Sequence, residues 1–284
     1  MNKKNIIVTG ARGFIGKNLI NSLKEKYIIK KLSFEKFGKI KDIDKKKYID
    51  NFIKKNKPFA VIHLATYFSK INNKKTFLKC MKVNYFFSKI LYQSTVKNSV
   101  NKFIYTGSNY ENIKDKKKLY PYILSKKRYS SFLEKSNSKK TNLICLYLSS
   151  IYGDNDERKK IVSYLFKIKK TKKKINFKIL KYSKLNFMHI KDLIEIIKLC
   201  ILKKPSNKKL FYNLKFKKNF SLLKIILNFS KINKYITYEI LKNSIKNLEI
   251  DERDVLYKNK KFLSYEPKID INNWIKNKLS ISNY

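Results

Sequence analysis

Tyr122 and Lys126 lie four residues apart in the segment YPYILSKKRY, a spacing that can support proton transfer. On an α-helix, residues i and i+4 share one face, so the phenol and the ammonium would be neighbours. An ammonium beside a phenol stabilises the phenolate and lowers its pKa from the ordinary value of about 10. In a chain with 20 tyrosines the pair carries little weight alone, so its surroundings matter.

A third polar group precedes this pair by one predicted element. The apolar run KFIY is followed by Thr106, Gly107 and Ser108, at the carboxyl end of a strand, where open parallel sheets bind ligands. A hydroxyl there can hydrogen-bond a substrate carbonyl while a tyrosine exchanges the proton. The alternative is that Thr106 and Ser108 only close a turn.

The segment VTGARGFIG carries Gly10, Gly13 and Gly16 between a predicted strand and a predicted helix. Its first interval is one residue wider than the common dinucleotide fingerprint. In such a loop the glycines permit a tight turn, a close approach to pyrophosphate and close packing of helix on strand. The helix then presents free N–H groups to the phosphates, so the sequence predicts a dinucleotide site.

The end of the second predicted strand bears on the choice between NAD and NADP. Acidic residues there usually bind the ribose hydroxyls of NAD, whereas basic residues accommodate the extra phosphate of NADP. The segment YIIKKLSF offers Lys30, Lys31 and Ser33, with Glu35 further along, and Arg12 lies inside the glycine loop. This pattern favours NADP and leaves NAD possible, because lysines are common throughout the chain.

The formal charge of +48 would ordinarily suggest a nucleic-acid partner. Only four of the 68 Lys and Arg residues are arginines, whereas bidentate recognition of phosphate and bases favours Arg. A chain rich in Lys, Asn, Ile, Tyr and Phe is typical of AT-rich coding. We therefore expect no specific nucleic-acid partner, and a non-enzymatic nucleotide or RNA binder is the alternative from another functional class.

The cysteines and the apolar runs indicate the compartment. Cys80, Cys145 and Cys200 form no Cys-x-x-Cys pair, which fits buried free thiols in a reducing cytosol. No run approaches the ~18 apolar residues of a membrane helix. We predict a cytoplasmic protein without a membrane partner, and two isolated histidines make a metal site unexpected.

Short apolar runs alternate with amphipathic segments up to Leu148, and the alternation predicts the fold class. The five runs are NIIVT, YIIKKL, FAVIHL, KFIYTG and NLICLYL. Strands that alternate with helices form a parallel sheet covered on both faces, so we predict an α/β, doubly wound parallel sheet. Residues 1–150 would form this domain and residues 151–284 a smaller C-terminal lobe, with exchange of a strand and a helix between them.

Eight segments occur in a familiar order over nearly the whole chain: TGARGFIG, VIHLAT, VNYFFSKIL, FIYTGS, PYILSK, IYG, NFMHIKDL and LSYEPKIDINNWI. The series resembles the extended short-chain dehydrogenase/reductase superfamily, in its branch of nucleotide-sugar epimerases, dehydratases and reductases. The resemblance implies a Rossmann-type domain that binds NAD(P) and a smaller lobe that binds a nucleotide sugar. It also implies a homodimer through helices near residues 76–98 and 122–135.

By this resemblance, Tyr122 matches the catalytic tyrosine, Lys126 the lysine that holds the nicotinamide ribose, and Ser108 the catalytic Ser/Thr. Asn84 and His189 match positions that can approach the substrate together with Ser108, whereas His63 reads as structural. Besides Tyr122 and Lys126, the cofactor-binding residues expected from spacing and resemblance together are Gly10, Arg12, Gly13, Phe14, Ile15, Gly16, Ser33, Leu64, Ala65 and Thr66.

Departures from the family pattern bear on the substrate and the reaction. Tyr147 and Leu185 stand where arginines are usual, and Asp154 replaces a proline. Asn109 and Tyr110 follow Ser108 where a 4,6-dehydratase generally carries Asp-Glu, which disfavours dehydration. The segments VIHLATYFSK and PYILSKKRY are most similar to those of the CDP-abequose and CDP-paratose synthase group, which are reductases. We therefore favour reduction of a 4-keto-6-deoxy sugar nucleotide, with an epimerase as the alternative.

Overall fold

The computed structural model describes residues 2–113, 119–158, 160–171, 174–203, 208–231, 233–241 and 265–281. These residues form twelve strands and ten α-helices. The strands are β1 (Lys4–Thr9), β2 (Tyr27–Leu32), β3 (Ala60–His63), β4 (Lys102–Ser108), β5 (Asn142–Leu148), β6 (Ser150–Tyr152), β7 (Ile175–Leu180), β8 (Lys184–Leu185), β9 (Phe187–His189), β10 (Lys209–Leu214), β11 (Phe220–Ser221) and β12 (Ile236–Leu241).

The helices include one π-helical interruption, Met81–Phe87, between α4 and α5. The sequence predicts one long helix there, from Thr76 to Asn98. The helices are α1 (Phe14–Leu23), α2 (Phe34–Gly38), α3 (Lys45–Asn56), α4 (Lys74–Cys80), α5 (Ser88–Lys97), α6 (Pro121–Lys135), α7 (Ile161–Thr171), α8 (Ile190–Leu202), α9 (Leu222–Ser230) and α10 (Ile271–Ile281).

Six of the strands form a parallel sheet in the order β2-β1-β3-β4-β5-β10. The chain crosses from β2 over β1 to β3, so the strand order reverses between β1 and β3. This reversal opens a crevice beyond their carboxyl ends, where ligands bind in sheets of this type. The predicted α/β, doubly wound parallel sheet is confirmed.

Side chains alternate across the sheet and bury both of its faces, as parallel strands require. Ile6 and Val8 of β1 pack on one face with Leu19 of α1 and Leu193 of α8. On the other face, β1 and β3 pack with residues of α3, α5 and α6, including Ile49, Ile53, Leu91 and Tyr129. The apolar runs in the sequence therefore became strands that are buried on both sides.

A buried lysine holds α8 against the sheet. Lys102 of β4 is 1% exposed, and its ammonium donates to the carbonyls of Cys200 (3.1 Å) and Lys203 (2.8 Å), and also to that of Ile201. The last carbonyls of a helix lack partners within the helix. Lys102 therefore caps the C-terminus of α8 from below.

A second apolar cluster gathers residues beyond β5. It joins α7, α9 and α10, among them Leu165, Ile225, Phe229 and Ile271. Parallel pairs β7–β12 and β6–β9 and the antiparallel pair β8–β11 accompany it. The division at residue 150 stays a prediction, and in this structure α8 and β10 lie against the main sheet. Within the residues that the structure describes, no helix has the length and apolar character needed to cross a bilayer.

Candidate active site

A cleft of about 360 Å³ opens at the carboxyl ends of the sheet strands. Ser108 at the end of β4 and Tyr122 and Lys126 on α6 all line it. Ile15, Leu64 and Thr66, three of the expected cofactor residues, line the same cleft. The structure thus brings together the hydroxyl, the phenol and the ammonium singled out by their residue types and spacing.

The glycine loop between β1 and α1 has the shape of a phosphate cradle. Gly10 has φ +68°, and a Cβ there would lie 2.7 Å from the Ala65 nitrogen. A Cβ at Gly16 would overlap the Gly10 carbonyl oxygen. Gly13 caps α1 without a side-chain bond, and the first turn holds no acidic residue. The N–H groups at this helix start can therefore serve a bound anion, as a dinucleotide pyrophosphate requires.

The loop after β3 is fixed to β1 on the other side of the crevice. The Leu64 nitrogen donates to the Thr9 carbonyl (3.3 Å), and the Ala65 nitrogen donates to Thr9 Oγ1 (3.2 Å). Thr9 Oγ1 also lies 2.7 Å from His63 Nδ1, and His63 Nε2 lies 2.7 Å from Ser88 Oγ. Burial lowers the pKa of His63 to about 3, so this histidine is a neutral structural link.

Lys126 occupies a buried position under the cleft floor. Its ammonium donates to the Thr106 carbonyl (2.8 Å) and lies 4.6 Å from the centroid of the Tyr105 ring. Burial lowers the pKa of Lys126 to about 8. The ammonium is therefore partly titrated just above neutral pH.

Tyr122 lies in the cleft wall, with its ring centroid 4.9 Å from that of Phe68. Burial and then the charge of Glu111 raise the pKa of Tyr122, whereas a hydrogen bond with the Ser108 hydroxyl lowers it. The expected lowering of the phenol pKa by Lys126 is not found in this structure, because burial dominates and the ammonium bonds the Thr106 carbonyl.

Asn84 lies in the π-helical segment and holds the wall of the cleft. Its Oδ1 accepts from Thr66 Oγ1 (3.1 Å) and the Tyr67 nitrogen (2.8 Å), and its Nδ2 donates to the Tyr67 carbonyl (3.0 Å) and Ser125 Oγ (2.9 Å). The amide is thus fully occupied in joining the loop after β3 to α6. π-Helical segments often occur beside functional sites.

His189 lies at the N-terminus of α8 and does not line the cleft described above. Its Nδ1 accepts from the Lys191 nitrogen (3.2 Å), and its ring packs against Tyr152 and Trp274. Burial lowers the pKa of His189 to about 4. Phe187, two residues earlier, does line the cleft. The segment therefore reaches the cleft as predicted, but through Phe187 and not through His189.

Arg12 and Ser33 lie at the far end of the predicted cofactor site. The Arg12 guanidinium forms an ion pair with Glu35, and both side chains are largely exposed. The Ser33 hydroxyl caps α2 by accepting from the Lys36 nitrogen (3.3 Å). The sequence places Arg12 in the glycine loop and Glu35 just beyond β2, but the pairing of the two side chains could be found only in the structure.

Two cationic side chains of the cleft escaped prediction from the sequence. The Arg158 guanidinium binds both oxygens of Asp156 (2.7 and 2.8 Å) and stacks 4.4 Å over the Phe14 ring. Lys160 places its ammonium 3.9 Å over the ring of Phe68. Lys160 is exposed overall, yet partial desolvation and then the charge of Arg158 lower the pKa of Lys160 to about 8. In a lysine-rich chain no local signal separated Lys160 from the other lysines, and nothing in the local sequence placed Arg158 in the cleft.

Glu111 is the third residue that was missed, although a signal existed. Ser108 and Glu111 have the S-x-x-E spacing of a capping box, and the structure contains that box at the short helical turn Asn109–Asn112. Glu111 is 2% exposed. A buried carboxyl group therefore stands directly behind Ser108.

The sequence matches the NAD dependent epimerase/dehydratase family over residues 6–214. No curated protein matches it significantly. Among solved structures, UDP-glucose 4-epimerase of Thermotoga maritima with UDP-glucose is similar, with 18% identity, a TM-score of 0.75 and 98% of each chain covered.

Two enzymes of Bacillus anthracis are similar as well. One is dTDP-4-dehydrorhamnose reductase in complex with NADP, with 16% identity, a TM-score of 0.72, and 99% of this chain and 100% of that chain covered. The other is dTDP-glucose 4,6-dehydratase in complex with NAD, with 16% identity, a TM-score of 0.73, and 98% and 96% covered. At these identities the likeness shows a shared fold.

Proposed function

Because the chain belongs to the NAD dependent epimerase/dehydratase family, which is part of the extended short-chain dehydrogenases/reductases, we propose that it transfers hydride between NAD(P) and a nucleotide-activated sugar. The observation that carries this proposal is the convergence of Ser108, Tyr122 and Lys126 on a cleft that Ile15, Leu64 and Thr66 also line. A nucleotide-sugar substrate agrees with the UDP-glucose, UDP-glucuronic acid and UDP named with similar structures.

The chain's own residues divide the chemistry among them. The bound nicotinamide supplies or accepts the hydride. Ser108 orients the sugar oxygen by a hydrogen bond, and Tyr122 gives a proton to that oxygen or removes one. Lys126 would hold the nicotinamide ribose, and its positive charge would favour the phenolate form of Tyr122. The glycine loop and the start of α1 bind the pyrophosphate.

The finer proposal is reduction of a 4-keto-6-deoxy sugar nucleotide at C4. Dehydration needs an additional acid and base beside the catalytic hydroxyl. Asn109 and Tyr110 occupy the following positions, and the buried Asn109 side chain lies 2.9 Å from that of Asn213 in β10. The Asn109 side chain is therefore held against the sheet. Neither Asn109 nor Tyr110 is a carboxylic acid, so neither supplies the acid and base that dehydration needs. Reduction requires only the hydroxyl, the phenol and the cofactor.

For this reduction we propose NADP as the cofactor. The end of β2 carries Lys30, Lys31 and Ser33 in place of an acidic residue, and Arg12 lies in the glycine loop. These groups can accommodate the extra phosphate of NADP. The similar reductase of Bacillus anthracis was solved with NADP, whereas the similar dehydratase was solved with NAD.

An NAD-dependent epimerase is the second candidate, and the ion pair of Arg12 with Glu35 favours it. A carboxylate at this end of the site can accept hydrogen bonds from the ribose hydroxyls of NAD, and it neutralises the arginine that would bind the phosphate of NADP. An epimerase oxidises and re-reduces one carbon, which the same hydroxyl and phenol can support. The cofactor and the reaction are therefore linked questions.

For the diphosphate of the substrate we propose Lys160, with Arg158 beside it. The usual arginine positions do not supply a cation, since Tyr147 is buried in the core and Leu185 packs with the second apolar cluster. Lys160 lines the cleft, and the carboxylate that acts on its charge, that of Asp156, is already bound by Arg158. A diphosphate beside Lys160 would favour its charged form.

The proposed homodimer uses α4, α5 and α6 together with the π-helical segment. Four large apolar side chains of these elements are exposed: Phe77 (37%), Leu78 (50%), Phe86 (52%) and Leu124 (39%). Exposed apolar groups concentrated on neighbouring helices favour burial against a partner. We place the subunit interface there.

The decisive experiment supplies the full-length protein with NADPH and a 4-keto-6-deoxy sugar nucleotide and follows the nicotinamide absorbance. The reductase proposal predicts oxidation of NADPH that depends on the sugar nucleotide and is lost in Tyr122→Phe. Tyr182→Phe, an exposed tyrosine, is the matched control and should keep full activity. Interconversion of 4-hydroxy sugar nucleotides in a parallel assay with NAD, with no net change in the nicotinamide absorbance, would establish the epimerase instead.

A further inference from the structure

A buried carboxyl group behind the cleft has no role in the chemistry described so far. Glu111 Oε1 accepts a hydrogen bond from the Ser108 nitrogen (2.6 Å), and Oε2 accepts one from the Ser130 hydroxyl. Each carboxyl oxygen therefore has its own donor. Burying a carboxylate is unfavourable unless hydrogen bonds or an opposite charge compensate, so this group needs an explanation.

The donors of Glu111 come from the two elements that carry the proposed chemistry. Tyr122, Lys126 and Ser130 are spaced four residues apart on α6 and share one face of that helix. Ser130 is the residue one turn beyond Lys126 on this face. Glu111 thus joins the end of β4, at Ser108, to the face of α6 that bears the phenol and the ammonium.

The neighbouring backbone leaves space for this carboxyl group. A Cβ at Gly107 would lie 2.9 Å from Glu111 Oε1 and 2.6 Å from Cδ1 of Tyr147. Any larger residue at position 107 would displace the carboxylate or the tyrosine ring. Gly107 is therefore matched to Glu111, which makes the carboxyl group an integral part of the site.

We propose that Glu111 is a positioning residue, which fixes Ser108 through its backbone nitrogen, joins it through Ser130 to the face of α6 that bears Lys126, and serves as the buried counter-charge of that lysine. The inference rests on the proposed function, because it assigns Ser108 and Lys126 their parts in hydride and proton transfer. It adds a residue that touches neither the substrate nor the cofactor.

The charges around Glu111 support this arrangement. Burial lowers the pKa of Lys126, and Glu111 is the strongest influence in the opposite direction. Burial raises the pKa of Glu111, and Lys126 is the first influence that lowers it. The remaining titratable groups that face this carboxylate are Tyr105 on β4, Cys145 and Tyr147 on β5, and Tyr122 and Glu134 on α6. None of these five is a cation, so Lys126 is the group that can balance it.

The first test requires neither cofactor nor substrate. Urea unfolding of the full chain is compared for the parent, Glu111→Gln, Lys126→Met and the double variant. Each single variant leaves one buried charge unbalanced, so we expect the double variant to unfold at a higher urea concentration than the sum of the two losses predicts. Strict additivity of the losses would overturn the proposal.

The second test measures binding of NADPH, by its fluorescence, as a function of pH. With Glu111→Gln, Lys126 loses its counter-charge and its proton at a lower pH, so the loss of NADPH affinity with rising pH should begin at lower pH. Glu25→Gln, which removes an exposed carboxylate that is not among the groups facing Glu111, is the control and should leave the profile in place. A variant whose affinity falls equally at every pH would show a structural role only and overturn the proposal.

The two tests also separate this inference from the proposed function. A parent protein that binds neither NADPH nor NADH at any pH contradicts the proposed function, while the unfolding comparison still decides the coupling of Glu111 with Lys126. If the unfolding losses of the two variants are coupled but the pH profile of NADPH binding does not move in Glu111→Gln, the positioning role is contradicted. The proposed reaction is not affected by that outcome.

Discussion

The Lys126 ammonium lies in a buried site, where its pKa falls to about 8 because of burial. An unfolded lysine titrates near pH ~10.4, so between these two pKa values the unfolded chain binds more protons than the folded one. The free energy of unfolding should therefore increase as pH rises through that window. The difference amounts to roughly 2–4 kcal/mol when a shift of this size is converted at about 1.4 kcal/mol per unit.

Lys126→Met isolates this contribution from the other titrating groups. Urea unfolding of the parent and the variant at pH values near the two ends of the window gives the comparison. We expect the parent to gain stability relative to Lys126→Met as the pH rises. An identical pH dependence in both proteins would show that Lys126 keeps an ordinary pKa in the folded state.

Glu35 offers a second test at the scale of one side chain. Its carboxylate pairs with Arg12, so Glu35→Gln should free the guanidinium for the extra phosphate of NADP. We expect a few-fold tighter Kd for NADPH and weaker binding of NADH, a modest effect because exposed ion pairs contribute little. Isothermal titration with both cofactors measures it.

Asp42→Asn is the matched control for that substitution. It removes the same charge from another exposed ion pair, that of Asp42 with Lys45, and should not alter the ratio of the two Kd values. If Glu35→Gln instead bound NADH more tightly, Glu35 would not hold the ribose of NAD.

Short sequence patterns predicted those features that depend on residues close together in the chain. The glycine loop depends on three residues and the start of α1, and the Tyr122–Lys126 pair depends on one turn of α6, so residue spacing was sufficient for both. The role of Glu111 depends on Ser130 of another element, and Lys160 matters because it packs on Phe68. Such contacts follow from the tertiary fold and could not be read from spacing.

The attachment of α8 to the sheet is an element-scale property that a substitution can probe. In Lys102→Met the ammonium is lost, and the carbonyls of Cys200, Ile201 and Lys203 lose their donor. Buried carbonyls without donors are costly, so we expect the free energy of unfolding to fall by about 2–4 kcal/mol. Urea unfolding measures the loss, and amide exchange should accelerate in the last turn of α8.

Lys209→Met provides the comparison for this cap. Lys209 donates to a single carbonyl near the end of α6, that of Glu134 (2.9 Å), in an exposed setting. We expect that substitution to cost well below 1 kcal/mol, since water can replace the ammonium. Equal losses in the two variants would mean that the buried cap contributes nothing beyond an ordinary surface bond.

At the scale of the whole molecule, the net charge of +48 determines how two copies can meet. Like charges of this size oppose association, and salt screens them over a distance of roughly 10 Å at 0.1 M. Burial of Phe77, Leu78, Phe86 and Leu124 would supply the opposing attraction. We therefore expect the dimer fraction, measured by sedimentation velocity, to rise with salt, whereas binding to RNA or heparin would weaken.

The interface itself is tested by Leu78→Asp combined with Phe86→Asp. Charged groups cannot be buried there without large cost, so this variant should sediment as a monomer at every salt concentration at which the parent is a dimer. Tyr182→Asp combined with Leu202→Asp changes two side chains that are 67% and 70% exposed elsewhere, and it should leave the dimer intact. At high salt the charge repulsion is screened, so the apolar attraction should be sufficient for association. A parent that stays monomeric under these conditions would contradict a subunit interface at α4–α6.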